Sequence, residues 1–125
     1  MTPFKTRRLP MKRDVVAPDG ADVRILLDLE AGGMASFELA PGETSRAVSH
    51  RTVEELWFFT SGRGEMWRKQ ENQEEIVVVE AGVCLTIPLG TRFQFRSLNQ
   101  EALWSSPELM DTSKGWDSPT MEGVH

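Results

Sequence analysis

Short apolar runs separated by glycine and proline turns organise this chain. Val23-Arg24-Ile25-Leu26-Leu27-Asp28-Leu29 is rich in strand-forming residues and stops at Gly32-Gly33. From Met34 to Leu39 the pattern alternates, with Ala35, Phe37 and Leu39 on one face and Met34, Ser36 and Glu38 on the other. Side chains two apart share a strand face, so this is the signature of a half-buried strand. Pro41-Gly42 closes it. Leu56 to Thr60 is a second strong run, closed by Ser61-Gly62-Arg63-Gly64. Glu65 to Arg68 and Ile76 to Glu80 flank the polar stretch Lys69 to Glu75, which predicts a hairpin with an exposed tip. Val83 to Ile87 ends at Pro88-Leu89-Gly90, and Phe93-Gln94-Phe95-Arg96 alternates again. Nothing before Ala102 has helical periodicity. Strands at this spacing predict an all-β sandwich or barrel.

The strand pattern occupies residues 23–104. Residues 1–22 are expected to form an N-terminal arm or edge strand. Residues 105–125 mix proline, glycine, serine, methionine and Trp116 without period and are expected to form an extended C-terminal tail. Trp104 and Trp116 predict that this tail docks on the barrel or on a partner, because indoles are costly to leave in water.

Composition narrows the function classes. With 125 residues the chain is one domain, and 39% apolar and 26% charged residues are ordinary for a globular protein. A net charge of −5 argues against nucleic acid or an anionic membrane as a bulk electrostatic partner. No apolar run approaches the roughly 18 residues that would cross a bilayer. The first thirteen residues carry Lys5, Arg7, Arg8, Lys12 and Arg13, but no apolar stretch follows, so they read as a solvated arm and not as a signal peptide. The single cysteine, Cys84, rules out an internal disulfide and a multi-cysteine metal site. Inside Val83–Ile87 it is expected to be a small packed core residue, and it suits a reducing, cytoplasmic location.

The spacing of particular residues is more specific. Gly42 is followed by five residues, then Val48-Ser49-His50, then Glu55 after four more, then Gly62 after six. Further on, Gly82 is followed by five residues, then Pro88-Leu89-Gly90, with Phe93 after two more and Ser97 after three. This frame resembles the paired motifs of the small single-domain cupins, over roughly Val23 to Ala102. The resemblance implies a double-stranded β-helix, or jelly-roll, barrel. In metal-binding cupins three histidines and a glutamate converge inside the barrel. Matched position by position, His50 stands at the second histidine and Glu55 at the glutamate, while Val48 and Phe93 stand where the other two histidines would be. The resemblance also implies pairing of small cupins through edge strands or exchanged arms, hence a homodimer.

Two protein ligands are too few for a tight first-row metal site, so no tightly bound cofactor is expected, and at most a weak divalent ion held by His50, Glu55 and water. His50 and Glu55 have two open roles: a polar pair that contacts a ligand, or a buried pair that satisfies its own polar groups. Val48 and Phe93 dry the interior and favour an apolar or aromatic ligand, or none. The candidate pocket comprises His50, Glu55, Val48, Trp57, Phe59, Phe93 and Phe95, with Arg92 at the expected barrel mouth as a clamp for a carboxylate or phosphate or as a solvated loop residue. Arg46 and Arg51 carry the same ambiguity. Ser61-Gly62-Arg63-Gly64 has no helix behind it and reads as a hairpin turn rather than a phosphate cradle. Two functions stay open: a metal-independent barrel that binds an unknown small molecule, or a metal-dependent oxygenase or sugar or keto-acid isomerase with a reduced ligand set.

Overall fold

The computed structural model describes residues 1–98 and 100–111. Its strands are β1 (Val15–Val16), β2 (Asp22–Leu29), β3 (Gly32–Leu39), β4 (Val53–Ser61), β5 (Arg63–Gln70), β6 (Gln73–Glu80), β7 (Cys84–Ile87), β8 (Arg92–Ser97), β9 (Leu103–Ser105) and β10 (Glu108–Asp111). They form two facing sheets. The larger has the order β1-β2-β3-β10-β4-β7, with β9 also between β3 and β4, and the smaller has the order β6-β5-β8. This is the expected all-β jelly-roll barrel. No described helix is long and apolar enough to cross a membrane.

Alternation along the strands places the core. Ala35, Phe37 and Leu39 of β3, Trp57 and Phe59 of β4, Met66 of β5, Leu85 and Ile87 of β7, and Phe93 and Phe95 of β8 all point between the sheets and are buried. Trp57 lies at the centre, its ring centroid 5.4 Å from Phe37, 5.0 Å from Phe95 and 5.9 Å from Phe93. Near-perpendicular pairs of this kind add about 0.5–1.5 kcal/mol each to the burial of the rings.

Gly42, Gly62, Gly82 and Gly90 all have positive φ, as turns between short strands demand. Gly62 has a second constraint: a Cβ there would overlap the Ala102 carbonyl oxygen. At that point the β4–β5 turn passes against the chain entering β9.

The expected β5–β6 hairpin with an exposed tip forms, and two other expectations need correction. The polar stretch Lys69–Glu75 is mostly strand, because β5 runs to Gln70 and β6 resumes at Gln73. Cross-strand contacts hold its ends: Trp67 Nε1 donates to Glu74 (3.0 Å) and Arg68 pairs with Glu75. The chain from Ser105 to Asp111 is not tail. β9 and β10 fill the space between β3 and β4, interrupted at buried Pro107, which has no N–H to give. Ser106 N donates to Phe58 O (2.7 Å) and Ala35 N to Pro107 O (3.0 Å), so pairing continues on both sides of the break. The barrel therefore extends to Asp111, and Trp116 lies outside the described residues. Cys84 is exposed rather than packed, because the register of β7 turns Leu85 and Ile87 inward.

Beyond the pairing of β1 with β2, one buried side chain ties the N-terminal segment to the larger sheet. Arg24 donates through Nε to Pro10 O (2.9 Å) and through Nη2 to Met11 O (3.0 Å). It also pairs with Glu38 (3.2 Å) and lies 4.8 Å from the centroid of the Trp104 ring. Trp104 thus docks on the outside of the barrel.

Candidate functional site

After the turn at Gly42 the chain runs antiparallel beside β8. Ser45 N donates to Phe95 O (2.8 Å), and Val48 and Phe93 exchange backbone hydrogen bonds of 3.0 and 2.9 Å. The smaller sheet thereby gains a short extra edge, and the chain leaves it at His50. Gly90 N donates to His50 O (3.0 Å), which joins His50 to the turn before β8. Opposite, β4 alternates inward with Glu55, Trp57 and Phe59, so its first inward polar position meets the imidazole.

The Glu55 carboxylate is almost completely buried, with its side chain 2% exposed. Trp57 Nε1 donates to its Oε2 at 3.1 Å, and His50 Nε2 lies 3.6 Å from its Oε1. The second contact is longer than a normal hydrogen bond and is an ion pair when the imidazole is protonated. The His50 side chain is 33% exposed, and its ring lies 5.8 Å from Phe93. The Glu55 carboxylate holds the His50 pKa above its ordinary value, outweighing the opposite effect of partial burial.

Asp19 lies within electrostatic reach of this pair, and sequence reasoning missed it. It is 4% exposed, its Oδ1 accepts from Ala21 N (3.0 Å), and its charge acts on both His50 and Glu55. Burial is the main cause of its raised pKa, and Glu55 adds to it. Ala17-Pro18-Asp19-Gly20 reads as a surface turn. The turn does form, with Gly20 N donating to Ala17 O, but Arg46 N also donates to Asp19 O (2.6 Å) and holds the turn against the His50 segment.

The other candidate residues separate into two sets. Trp57, Phe59, Phe93 and Phe95 are each no more than 2% exposed, and Val48 packs against them. Their side chains fill the barrel interior instead of lining an open chamber. Arg92 is exposed and leaves the smaller sheet on the face opposite Phe93, across from Lys69 in the register.

The donor set does not suit a metal ion. Val48 and Phe93 offer no lone pairs at the two positions where the resemblance places histidines. Both Glu55 oxygens already face donors, Trp57 Nε1 and His50 Nε2. Among the described residues no three His, Cys, Asp or Glu side chains are grouped to hold a metal. The arrangement can offer one polarised imidazole, backed by a fixed negative charge, to whatever occupies the mouth of the barrel.

No protein-family model and no curated protein matches the chain. Solved structures match it in fold. The cupin domain of Drosophila melanogaster CENP-C superposes with a TM-score of 0.66 at 14% identity, covering 73% of this chain and 66% of that one. An oxalate oxidase in complex with glycolate gives 0.71 at 17% identity, over 86% of this chain and 59% of that one. A predicted oxalate decarboxylase from Thermotoga maritima gives 0.62 at 17% identity, over 73% and 80%. These neighbours include both an enzyme and a domain not named for any catalysis, and at such identities the likeness establishes architecture alone. By its fold, the chain is a cupin-like double-stranded β-helix barrel.

Proposed function

We propose that this protein is a binding barrel that engages a small molecule at its mouth through His50 and works without a tightly held metal. The observation that carries this reading is the half-exposed His50 imidazole, backed by the buried Glu55 carboxylate and set beside an interior already filled with aromatic rings. A raised His50 pKa favours the imidazolium, in which both ring nitrogens donate. Nε2 faces Glu55, so the second donor of the imidazolium is Nδ1. The ligand this arrangement suits therefore presents an acceptor oxygen, and Phe93 offers an apolar contact next to it. Metal-dependent oxygenase or isomerase chemistry would need a donor set that Val48 and Phe93 do not provide.

A cytoplasmic location and pairing of two copies belong to the same proposal. The outer face of the larger sheet supports pairing, because Met34, Leu56 and Phe58 are exposed there. Sedimentation of the wild type as a monomer at micromolar concentration would remove that part.

Thermal-shift screening of small carbonyl and carboxylate compounds tests the ligand reading. Compounds that stabilise the wild type are expected to lose that effect in His50→Ala and Glu55→Ala. Unchanged shifts in both folded variants would overturn the assignment of this site.

A further inference from the structure

A sheet edge offers unpaired N–H and C=O groups to any further strand, and most edges of this barrel are shortened or covered. β7 has four residues and runs into Pro88, β1 lies along β2, and Thr44 and Val48 bridge to the outer side of β8. β6 (Gln73–Glu80), at the end of the smaller sheet, has no such protection. It pairs with β5 in an unbroken register from Arg63↔Glu80 to Gln70↔Gln73. Among the described residues no backbone hydrogen bond joins residues 73–79 to any other element. The strand contains no proline, lysine or bulge, and Ile76-Val77-Val78-Val79 are all β-branched. Val79 turns into the core, while Ile76 is 65% and Val78 43% exposed. The outward face therefore reads Glu74, Ile76, Val78, Glu80: a carboxylate, two apolar side chains and a carboxylate. Trp67 Nε1 donates to Glu74 (3.0 Å) and steadies one end of the row.

We propose that β6 is a docking edge for an extended basic peptide, which joins the smaller sheet as one more strand. The carboxylates select against a second copy of β6 as the occupant. In a two-fold antiparallel pairing of β6 with itself, Glu80 falls opposite Glu74 when the axis passes through Val77. It falls opposite Glu75 when the axis passes between Val77 and Val78. Like charges directly opposite each other destabilise a strand pair. The complementary strand instead carries Lys or Arg at both ends of one face and β-branched residues between them. Its backbone satisfies the free edge of β6, which supplies affinity. Ile76 and Val78 gain apolar cross-strand partners, and Glu74 and Glu80 gain cations, which supplies specificity. A slip of one residue would turn every one of these side chains to the wrong face, so the pattern also sets the register.

The test is fluorescence anisotropy of the labelled peptide Lys-Thr-Val-Thr-Val-Thr-Lys titrated with the full chain. Saturable binding is expected, and the acidic peptide Glu-Thr-Val-Thr-Val-Thr-Glu is expected to bind about tenfold more weakly or less. N-methylation of alternate amides blocks one edge of the basic peptide at a time. One methylation frame is expected to abolish binding and the other to preserve it, because a single edge of the added strand faces β6. Ile76→Lys places a cation in the middle of an exposed row and is expected to weaken the basic peptide about tenfold. His50→Ala is expected to leave binding unchanged, which separates this edge from the barrel mouth. If Ile76→Lys does not fold, the two methylation frames on the wild type still decide the matter. No saturable binding, equal affinity for the acidic peptide, equal effects of the two frames, or unchanged affinity in a folded Ile76→Lys would each overturn the proposal. So would wild-type dimers that dissociate in Ile76→Lys, since a second copy would then be the occupant.

Discussion

Replacing Trp57 by phenylalanine removes the indole N–H that donates to the buried Glu55 carboxylate and keeps most of the ring. The bond is 3.1 Å long, and both residues are at most 3% exposed. Water therefore does not readily replace the lost donor. A hydrogen bond to an ionised group contributes about 1.5–3 kcal/mol, and the smaller ring leaves a packing defect of about 1 kcal/mol. Trp57→Phe is thus expected to cost about 3 kcal/mol in urea unfolding at neutral pH. The same change made in a Glu55→Leu background meets no carboxylate and is expected to cost only the packing share, about 1 kcal/mol. The coupling of about 2 kcal/mol between the two substitutions isolates the bond from the relief that Glu55→Leu gains by removing a buried charge. A coupling within about 0.5 kcal/mol of zero would refute the reasoning, since residues that do not interact add to that tolerance.

Other consequences follow from the same geometry. Because the folded-state pKa of His50 is raised, its stabilising contribution is fully present below the ordinary imidazole pKa and is lost as pH rises through the folded value. The stability difference between wild type and His50→Ala should therefore be larger near pH 5.5 than near pH 9, and an NMR titration of His50 in Glu55→Gln should show a lower pKa than in the wild type. Burial raises the Asp19 pKa, so its contribution is present below the ordinary carboxyl pKa and is lost as pH rises through the folded value. Asp19→Asn, which can still accept from Ala21 N, should be more stable than wild type at pH 7, with the gain vanishing in acid unfolding experiments. Gly62→Ala should cost clearly more than Gly42→Ala: both have positive φ, worth about 1–2 kcal/mol of strain, but only Gly62 abuts a carbonyl. Arg24→Met should release the N-terminal arm, seen as faster tryptic cleavage at Arg7, Arg8 and Lys12, because Arg24 holds the carbonyls of Pro10 and Met11.

The frame of the barrel was legible because turns and alternation are local. Gly42, Gly62, Gly82 and Gly90 mark positive-φ turns, and Ala35, Phe37, Leu39, Trp57, Phe59, Phe93 and Phe95 fall on the buried face that their spacing predicts. The meeting of His50 with Glu55 was legible from the motif. What escaped depends on long-range pairing. β9 and β10 form because β3 and β4 leave unpaired backbone between them, a condition invisible in the Ser- and Pro-rich composition around Pro107. Asp19 reaches the site because a backbone bond to Arg46 docks its turn there. Glu75 fell in the polar stretch of the hairpin and Arg68 in the run before it, and only the register of β5 against β6 and β8 turns them toward the gap between the sheets. Cys84 was misplaced by one residue of register, which in a strand reverses the face.

As proposed above, this barrel keeps the cupin-like frame and uses the His50–Glu55 pair without a resident metal. Elemental analysis of protein purified without chelator is the decisive measurement. Iron, manganese, nickel and zinc are expected far below one equivalent per chain, with the same values in His50→Ala. Close to one equivalent of any of these metals in the wild type, lost in a folded His50→Ala, would contradict it.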